Sequence, residues 1–356
     1  MIALSTIIKT FAEELHQRYR NRLLPGHKRA LHAMSICRTA QSQVFLAQCS
    51  SCGIHVSLPH SCGHRSCPHC QHRDSQRWLD RQREKLLPVQ YFMVTFTLPA
   101  QLRSLAWQHQ RVCYDLLLKL GWQTLHSFGL NDSRLKGEIG AHAVLHTQTR
   151  SLDFHPHVHF IVPAGALSRK QRLWRSKKGK YLFQHGNLAT VFRAKWLQAM
   201  EKKGLKVRSS LPEDWVAHCK HVGGGEKALT YLGKYLYRGV LSEKNIISCE
   251  NGMVTFRYIQ NSGEVCTRTL PGADFLWLLL LHVLPRGFRR ARNYGLLHPN
   301  SKTLIRLLQY LFRCTPPDAR VTKQPKTCHR CGAPMKIIAT RLPPMPYSLP
   351  EGRQLV

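Results

Sequence analysis

Carboxylates are scarce in this chain. Asp and Glu together number 19 among 356 residues, against 53 Lys and Arg, which leaves a formal net charge of +34. So unbalanced a field attracts polyanions and speeds encounter with them. Nucleic acid is the polyanion expected, because neutralising its phosphates releases condensed counterions. The charge by itself names no reaction. Long apolar runs are also missing. The most apolar stretch, 275–284, is too short to cross a bilayer and carries His282, so no membrane partner is expected. No basic segment followed by an apolar one opens the chain, so no secretory signal is read there and a cytoplasmic location is expected. Thiols stay reduced in that compartment, and clustered cysteines, 13 in this sequence, then point to metal rather than disulfides. No internal repeat is visible.

The residues that are present suggest four parts: a helical arm over 1–30, a zinc-binding module with an exit helix over 31–88, a catalytic domain over 89–270, and a basic helical region with a Cys-x-x-Cys tail over 271–356. Apolar positions at i, i+4 and i+8 predict a helix over 7–24, stopped by Pro25 and Gly26. β-branched and aromatic runs predict strands over 91–98, 141–149 and 154–162. The short link 151–153 makes the last two an antiparallel hairpin. A strand over 215–222, a helix over 226–238, a hairpin of 253–259 with 265–270, and helices over 102–120, 189–203, 273–283 and 304–312 complete the reading. The class expected is α+β, with a central antiparallel sheet, flanking helices and a small zinc-binding module before it.

Cys49-x-x-Cys52 and Cys67-Pro68-His69-Cys70 are two half-sites of the kind that each deliver two thiolates to a tetrahedral Zn²⁺. Cys49, Cys52, Cys67 and Cys70 are therefore the expected zinc ligands, with Cys37, His55, His60, Cys62, His64, His69 and His72 as further candidates nearby. Cys328-x-x-Cys331 is a lone half-site, for which Cys314 and His329 do not complete a convincing set.

The central motif is His155-Pro156-His157-Val158-His159-Phe160. Alternate residues of a strand share a face, so His157 and His159 present two imidazoles together while Val158 turns to the apolar side. Packing does not account for that alternation, whereas a divalent metal does. The preceding strand offers His146 or Gln148 as a third ligand. Downstream, Tyr231 and Tyr235 stand at i and i+4, one turn apart on one helix face. A phenol with a pKa near 10 needs nearby positive charge to act as a nucleophile; Lys234 and Arg238 can supply such charge and contact DNA.

These motifs, together with Cys37-Arg38-Thr39, Ser61-Cys62-Gly63-His64-Arg65-Ser66, Val94-Thr95-Phe96-Thr97-Leu98-Pro99, His282-Val283-Leu284-Pro285-Arg286-Gly287-Phe288 and Tyr294-Gly295-Leu296-Leu297, occur in an order and spacing that resembles the two-tyrosine rolling-circle transposases of the insertion sequence ninety-one type. Those enzymes belong to the HUH single-strand nuclease superfamily, and the resemblance runs over nearly the whole chain. It implies a HUH-type sheet, Mg²⁺ or Mn²⁺ at His157 and His159, and attack by Tyr231 or Tyr235 to give a 5′-phosphotyrosine. It also implies single-stranded transposon ends and target DNA as partners, and a bacterial, nucleoid-associated cytoplasmic location. A plasmid replication initiator or relaxase would share the chemistry. A non-catalytic zinc-dependent DNA-binding regulator would share the charge and the cysteines but leave the tyrosines as core residues.

Overall fold

The computed structural model describes residues 2–70, 72–207, 209–236, 240–260, 262–314 and 326–344, with backbone alone for 72, 73 and 234–236. The class is α+β, with antiparallel sheets. The chain forms two compact units, and both are discontinuous in sequence: 1–72 with 241–280 and 320–356, and 73–240 with 281–319. The four parts read from the sequence were consecutive, whereas each of these units draws on separate segments. Local signals mark where elements start and stop, whereas the grouping is set by which strands and helices pair across hundreds of residues.

The second unit is built on a five-stranded sheet in the order Ala291–Gly295, Gly140–Gln148, Phe154–Pro163, Tyr91–Thr97, Ala217–His221. Every neighbouring pair is antiparallel. The histidine strand, Phe154–Pro163, is central, and its partner in the expected hairpin is Gly140–Gln148. The side chains divide as alternation requires. Phe92, Val94, Phe96, Ala143, Leu145, Val158, Phe160 and Val162 face the helices Gln110–Asn131 and His185–Lys202 and are fully or almost fully buried with Leu117, Phe192 and Trp196. Each large apolar side chain removed from water there contributes about 1.5–3 kcal/mol. Tyr91, Val144 and Ile161 face the other way, against Ala228, Leu229 and Leu232 of the helix Glu226–Leu236 and Trp78 and Leu79 of the helix His72–Arg83. The histidines share this second face, so the tyrosine helix lies over the histidine strand because both bury apolar neighbours in one layer.

The hairpin link is held from behind. Leu152 has φ 71°, a left-handed conformation that costs a branched side chain about 1–2 kcal/mol. Burial of its side chain offsets that cost, and His282 Nε2 donates to its carbonyl at 2.8 Å. His282 is then a neutral imidazole whose Nδ1 accepts from the Thr147 hydroxyl at 3.1 Å. Burial holds it neutral, with a pKa lowered to about 4.

The first unit contains two three-stranded antiparallel sheets, Met335–Leu342, Val44–Cys49, His55–Pro59 and Val265–Pro271, Met253–Ile259, Ile246–Glu250. Its helix Leu4–Tyr19 packs on Gly272–Leu280, where the Tyr19 ring stacks on Trp277 at 4.6 Å and its hydroxyl donates to Asp274 at 2.7 Å. The first helix ends before Pro25 and Gly26, as expected, and these two residues also open a second one, Pro25–Ile36. Proline fits the first turn because no intrahelical partner exists for an N–H there. Among the described residues, no helix is long and apolar enough to cross a membrane.

Candidate metal centres and active site

Antiparallel pairing places His146 directly opposite His157, and Val144 opposite His159. Three imidazoles therefore converge, and His146, His157 and His159 each offer a ring nitrogen, all within 4.8 Å of one another. The ring centroids of His146 lie 5.3 Å from His157 and 4.6 Å from His159. Gln148 does not share this arrangement. A register shift intervenes between His146 and Gln148, and the Gln148 side-chain oxygen accepts from the Thr147 backbone N–H at 3.2 Å.

Hydrogen bonds fix the rings. His157 Nδ1 donates to the His155 carbonyl at 2.7 Å, which leaves Nε2 as the nitrogen with a lone pair. His159 Nδ1 lies 2.7 Å from the Thr95 hydroxyl. Thr95 stands opposite His159 on the neighbouring strand and is itself buried. Burial lowers the pKa of His157 to about 4 and, with the adjoining His157 charge, that of His159 to about 3. His146 is pushed well below the ordinary range by burial, then by its two histidine neighbours and Arg290. Three neutral imidazoles, two of them held by these hydrogen bonds, suit a divalent metal, and their nitrogens bind transition ions more tightly than Mg²⁺. Beside the cluster, Arg103 donates to His155 Nδ1 at 2.9 Å.

The tyrosine helix brings Tyr231 to this cluster. Its ring meets the His159 ring edge to face with centroids 6.5 Å apart, and the residue is 39% exposed. Tyr235 and Lys234 lie on the same helix, but their side chains fall outside the described residues, and so does Arg238 entirely. The helix is also tied to its neighbour His72–Arg83 by Ser75, whose hydroxyl donates to the Gly233 carbonyl at 2.5 Å.

The cysteines group differently from the expected single set. Cys67 and Cys70 join Cys37 and Cys62, whereas Cys49 and Cys52 join Cys328 and Cys331. Neither group is a pair of disulfides, for all these cysteines are free. The expected set failed because two half-sites close in sequence need not share a metal. Cys49 leaves along a strand whose other neighbour is the tail strand Met335–Leu342, and that pairing brings the tail half-site to it. Sequence reasoning also missed Thr95 as a support of His159 and His282 as a support of the hairpin link. Both stand inside motifs that carry the family resemblance, but only strand register shows what each one touches.

Comparison with known proteins decides the family. A family model described as a putative transposase matches residues 140–304, and one described as a transposase zinc-binding domain, of the insertion sequence ninety-one type, matches residues 7–98. The putative transposase y4qJ of Sinorhizobium fredii is 32% identical, over 80% of this chain and 77% of its own. The transposase for insertion sequence element IS801 of Pseudomonas savastanoi pv. phaseolicola is 26% identical, over the same shares, 80% and 77%. No solved structure matches.

The chain belongs to the transposases of the insertion sequence ninety-one type.

DNA is accordingly the partner of this transposase, and cleavage of DNA its class of reaction. The transposase match over 140–304 spans the histidine strand, its hairpin partner and the tyrosine helix. The zinc-binding match over 7–98 contains Cys37, Cys62, Cys67 and Cys70 complete, and it supports zinc in this part of the transposase.

Proposed function

We propose that this transposase nicks and rejoins single-stranded DNA at the ends of its element through a 5′-phosphotyrosine, in rolling-circle transposition, on a sheet of the HUH-nuclease type. The observation that carries the reading is the position of Tyr231 at the rim of three converged imidazoles, its ring 6.5 Å from that of His159. His146, His157 and His159 would hold the divalent metal, Mn²⁺ or Mg²⁺. When bound, the metal supplies Lewis-acid stabilisation of the charge that builds on the phosphoryl oxygens.

The chain's own residues do the rest. The Tyr231 hydroxyl attacks phosphorus, the bond from phosphorus to the 3′ oxygen breaks, and the phenol's proton is balanced by the one gained at the new 3′-OH. One phosphodiester replaces another, so the step is reversible and needs no ATP. The exposure of Tyr231 leaves room for a strand to reach it. Arg103 and Arg290, with Lys234 and Arg238 of the tyrosine stretch, add positive potential that favours both phosphate and phenolate. Tyr235, one helical turn on, serves as the second nucleophile, so that one tyrosine holds donor DNA while the other cuts the target.

The test is cleavage of single-stranded oligonucleotides from the flanks of the element, with Mn²⁺, Mg²⁺ or chelator, read as a covalent protein–DNA adduct on a denaturing gel. Wild type forms a metal-dependent adduct, Tyr231→Phe and Tyr235→Phe rank the nucleophiles, and the double variant forms none. Cleavage without any adduct, or an adduct that survives in the double variant, would overturn the reading.

A further inference from the structure

The second cysteine group is a site in its own right. Cys49-Ser50-Ser51-Cys52-Gly53 and Cys328-His329-Arg330-Cys331-Gly332 repeat one pattern at distant places in the chain. In both, the glycine after the second cysteine takes a left-handed backbone, φ 72° at Gly53 and 74° at Gly332. That conformation is open to glycine at little cost and turns the chain sharply behind the thiols. In the first knuckle the backbone N–H groups of Ser51 and Cys52 both point at Cys49 Sγ, at 3.5 Å each. The two knuckles face one another. Cys49 Sγ lies 3.4 Å from Cys331 Sγ, and Cys52 Sγ lies 3.7 Å from Cys328 Sγ. Thiolates on a tetrahedral zinc, with bonds of about 2.3 Å, stand roughly 3.8 Å apart. A disulfide would instead place two sulfurs at about 2.05 Å.

We propose that Cys49, Cys52, Cys328 and Cys331 bind a second zinc ion, separate from the one at Cys37, Cys62, Cys67 and Cys70, and that this ion clasps the tail segment onto the amino-terminal metal module. The zinc-binding match ends at residue 98 and so contains only half of these ligands. Strand pairing supports the clasp independently of the sulfurs. Met335–Leu342 runs antiparallel to Val44–Cys49, Cys49 is paired with Met335, and both the Ser50 N–H and hydroxyl donate to the Pro334 carbonyl, at 3.2 and 2.8 Å. A zinc held by four thiolates carries a net charge of −2, and Lys326, Arg330 and Lys336 of the tail segment offset it. The site does not depend on the tyrosine chemistry proposed above.

Exposure makes the proposal testable in the wild-type chain. Cys52 and Cys331 are solvent-exposed, so as free thiols they would react with iodoacetamide without unfolding. In full-length protein reconstituted with Zn²⁺, native alkylation followed by mass spectrometry should leave Cys52, Cys328 and Cys331 unmodified, and a chelator should render them reactive. Two zinc ions per chain should be thiolate-bound, and after Co²⁺ exchange the thiolate-to-cobalt absorption should fall by half in Cys328→Ser/Cys331→Ser. Rapid alkylation of Cys331 in the zinc-loaded wild type would overturn the proposal. So would a disulfide among the four, iron in place of zinc on metal analysis, or undiminished cobalt absorption in the variant.

Discussion

Thr95 and His159 face each other across two antiparallel strands, the threonine hydroxyl 2.7 Å from the imidazole Nδ1. The hydroxyl holds the ring so that the other nitrogen points into the histidine cluster. It is a neutral side-chain contact fixing a proposed ligand, and its removal leaves the ligand itself in place.

Thr95→Val should therefore lower metal affinity by roughly 10–100-fold, the usual effect of losing an outer partner of a metal-bound histidine. Thr95→Ser should stay near wild type. Adduct yield as a function of Mn²⁺ concentration reads this directly. Equal half-saturation in wild type and Thr95→Val would remove Thr95 from the site.

The register shift between His146 and Gln148 separates two residues that alternation alone would place together. His146→Ala should weaken Mn²⁺ binding by about 100-fold or more, at or beyond the upper end of outer-partner changes. Gln148→Ala should change it less than about threefold, within the context-dependence of a single contact removed outside a site. Calorimetric titration of the two variants decides between them, and the reverse ranking would make Gln148 the third ligand.

Acid should destabilise the fold over a defined window. Burial holds His27, His142 and His282 at about 4, below the unfolded value near 6.5. Between those values the unfolded chain takes up protons that the folded chain refuses, so stability falls as pH drops. The slope is roughly 1.4 kcal/mol per pH unit for each such group. Above pH 6.5 both states are neutral and the effect vanishes. Urea denaturation between pH 7.5 and 4.5 should show this fall, less steeply in His282→Gln. A flat profile would mean that these rings accept protons in the folded state.

With a net charge of +34, binding to DNA should depend strongly on salt. For single strands the logarithm of the affinity should fall with the logarithm of salt at about −0.7 for each phosphate contacted. Fluorescence anisotropy with a labelled oligonucleotide measures the slope, and affinity insensitive to salt would exclude a phosphate-led interface.

Legibility in the sequence followed the range of the interactions. The pair His157 and His159 was readable because strand alternation is a rule of period two, which acts over neighbours. The tyrosine helix was readable for the same kind of reason. The choice between His146 and Gln148 was not, because both satisfy alternation and only the shift in pairing separates them. The cysteines mark the limit most clearly. Their type and spacing announced metal, but Cys52 meets Cys328 across 276 positions, and nothing local to either half-site records its partner. The grouping of distant segments was out of reach for the same reason, since the strand Met335–Leu342 carries no mark of belonging beside Val44–Cys49.

That last pairing bears on how the protein is made. The strand Val44–Cys49 emerges from the ribosome early, and His55–Pro59 follows at once to cover one edge. The other edge waits for Met335–Leu342. At roughly 5–20 residues per second the nascent chain spends some tens of seconds with that edge bare, and a bare edge is a template for wrong pairing. Any polypeptide released before the tail strand is synthesised keeps it bare permanently. Premature products of this gene should consequently aggregate or be degraded rather than compete with the finished protein for DNA.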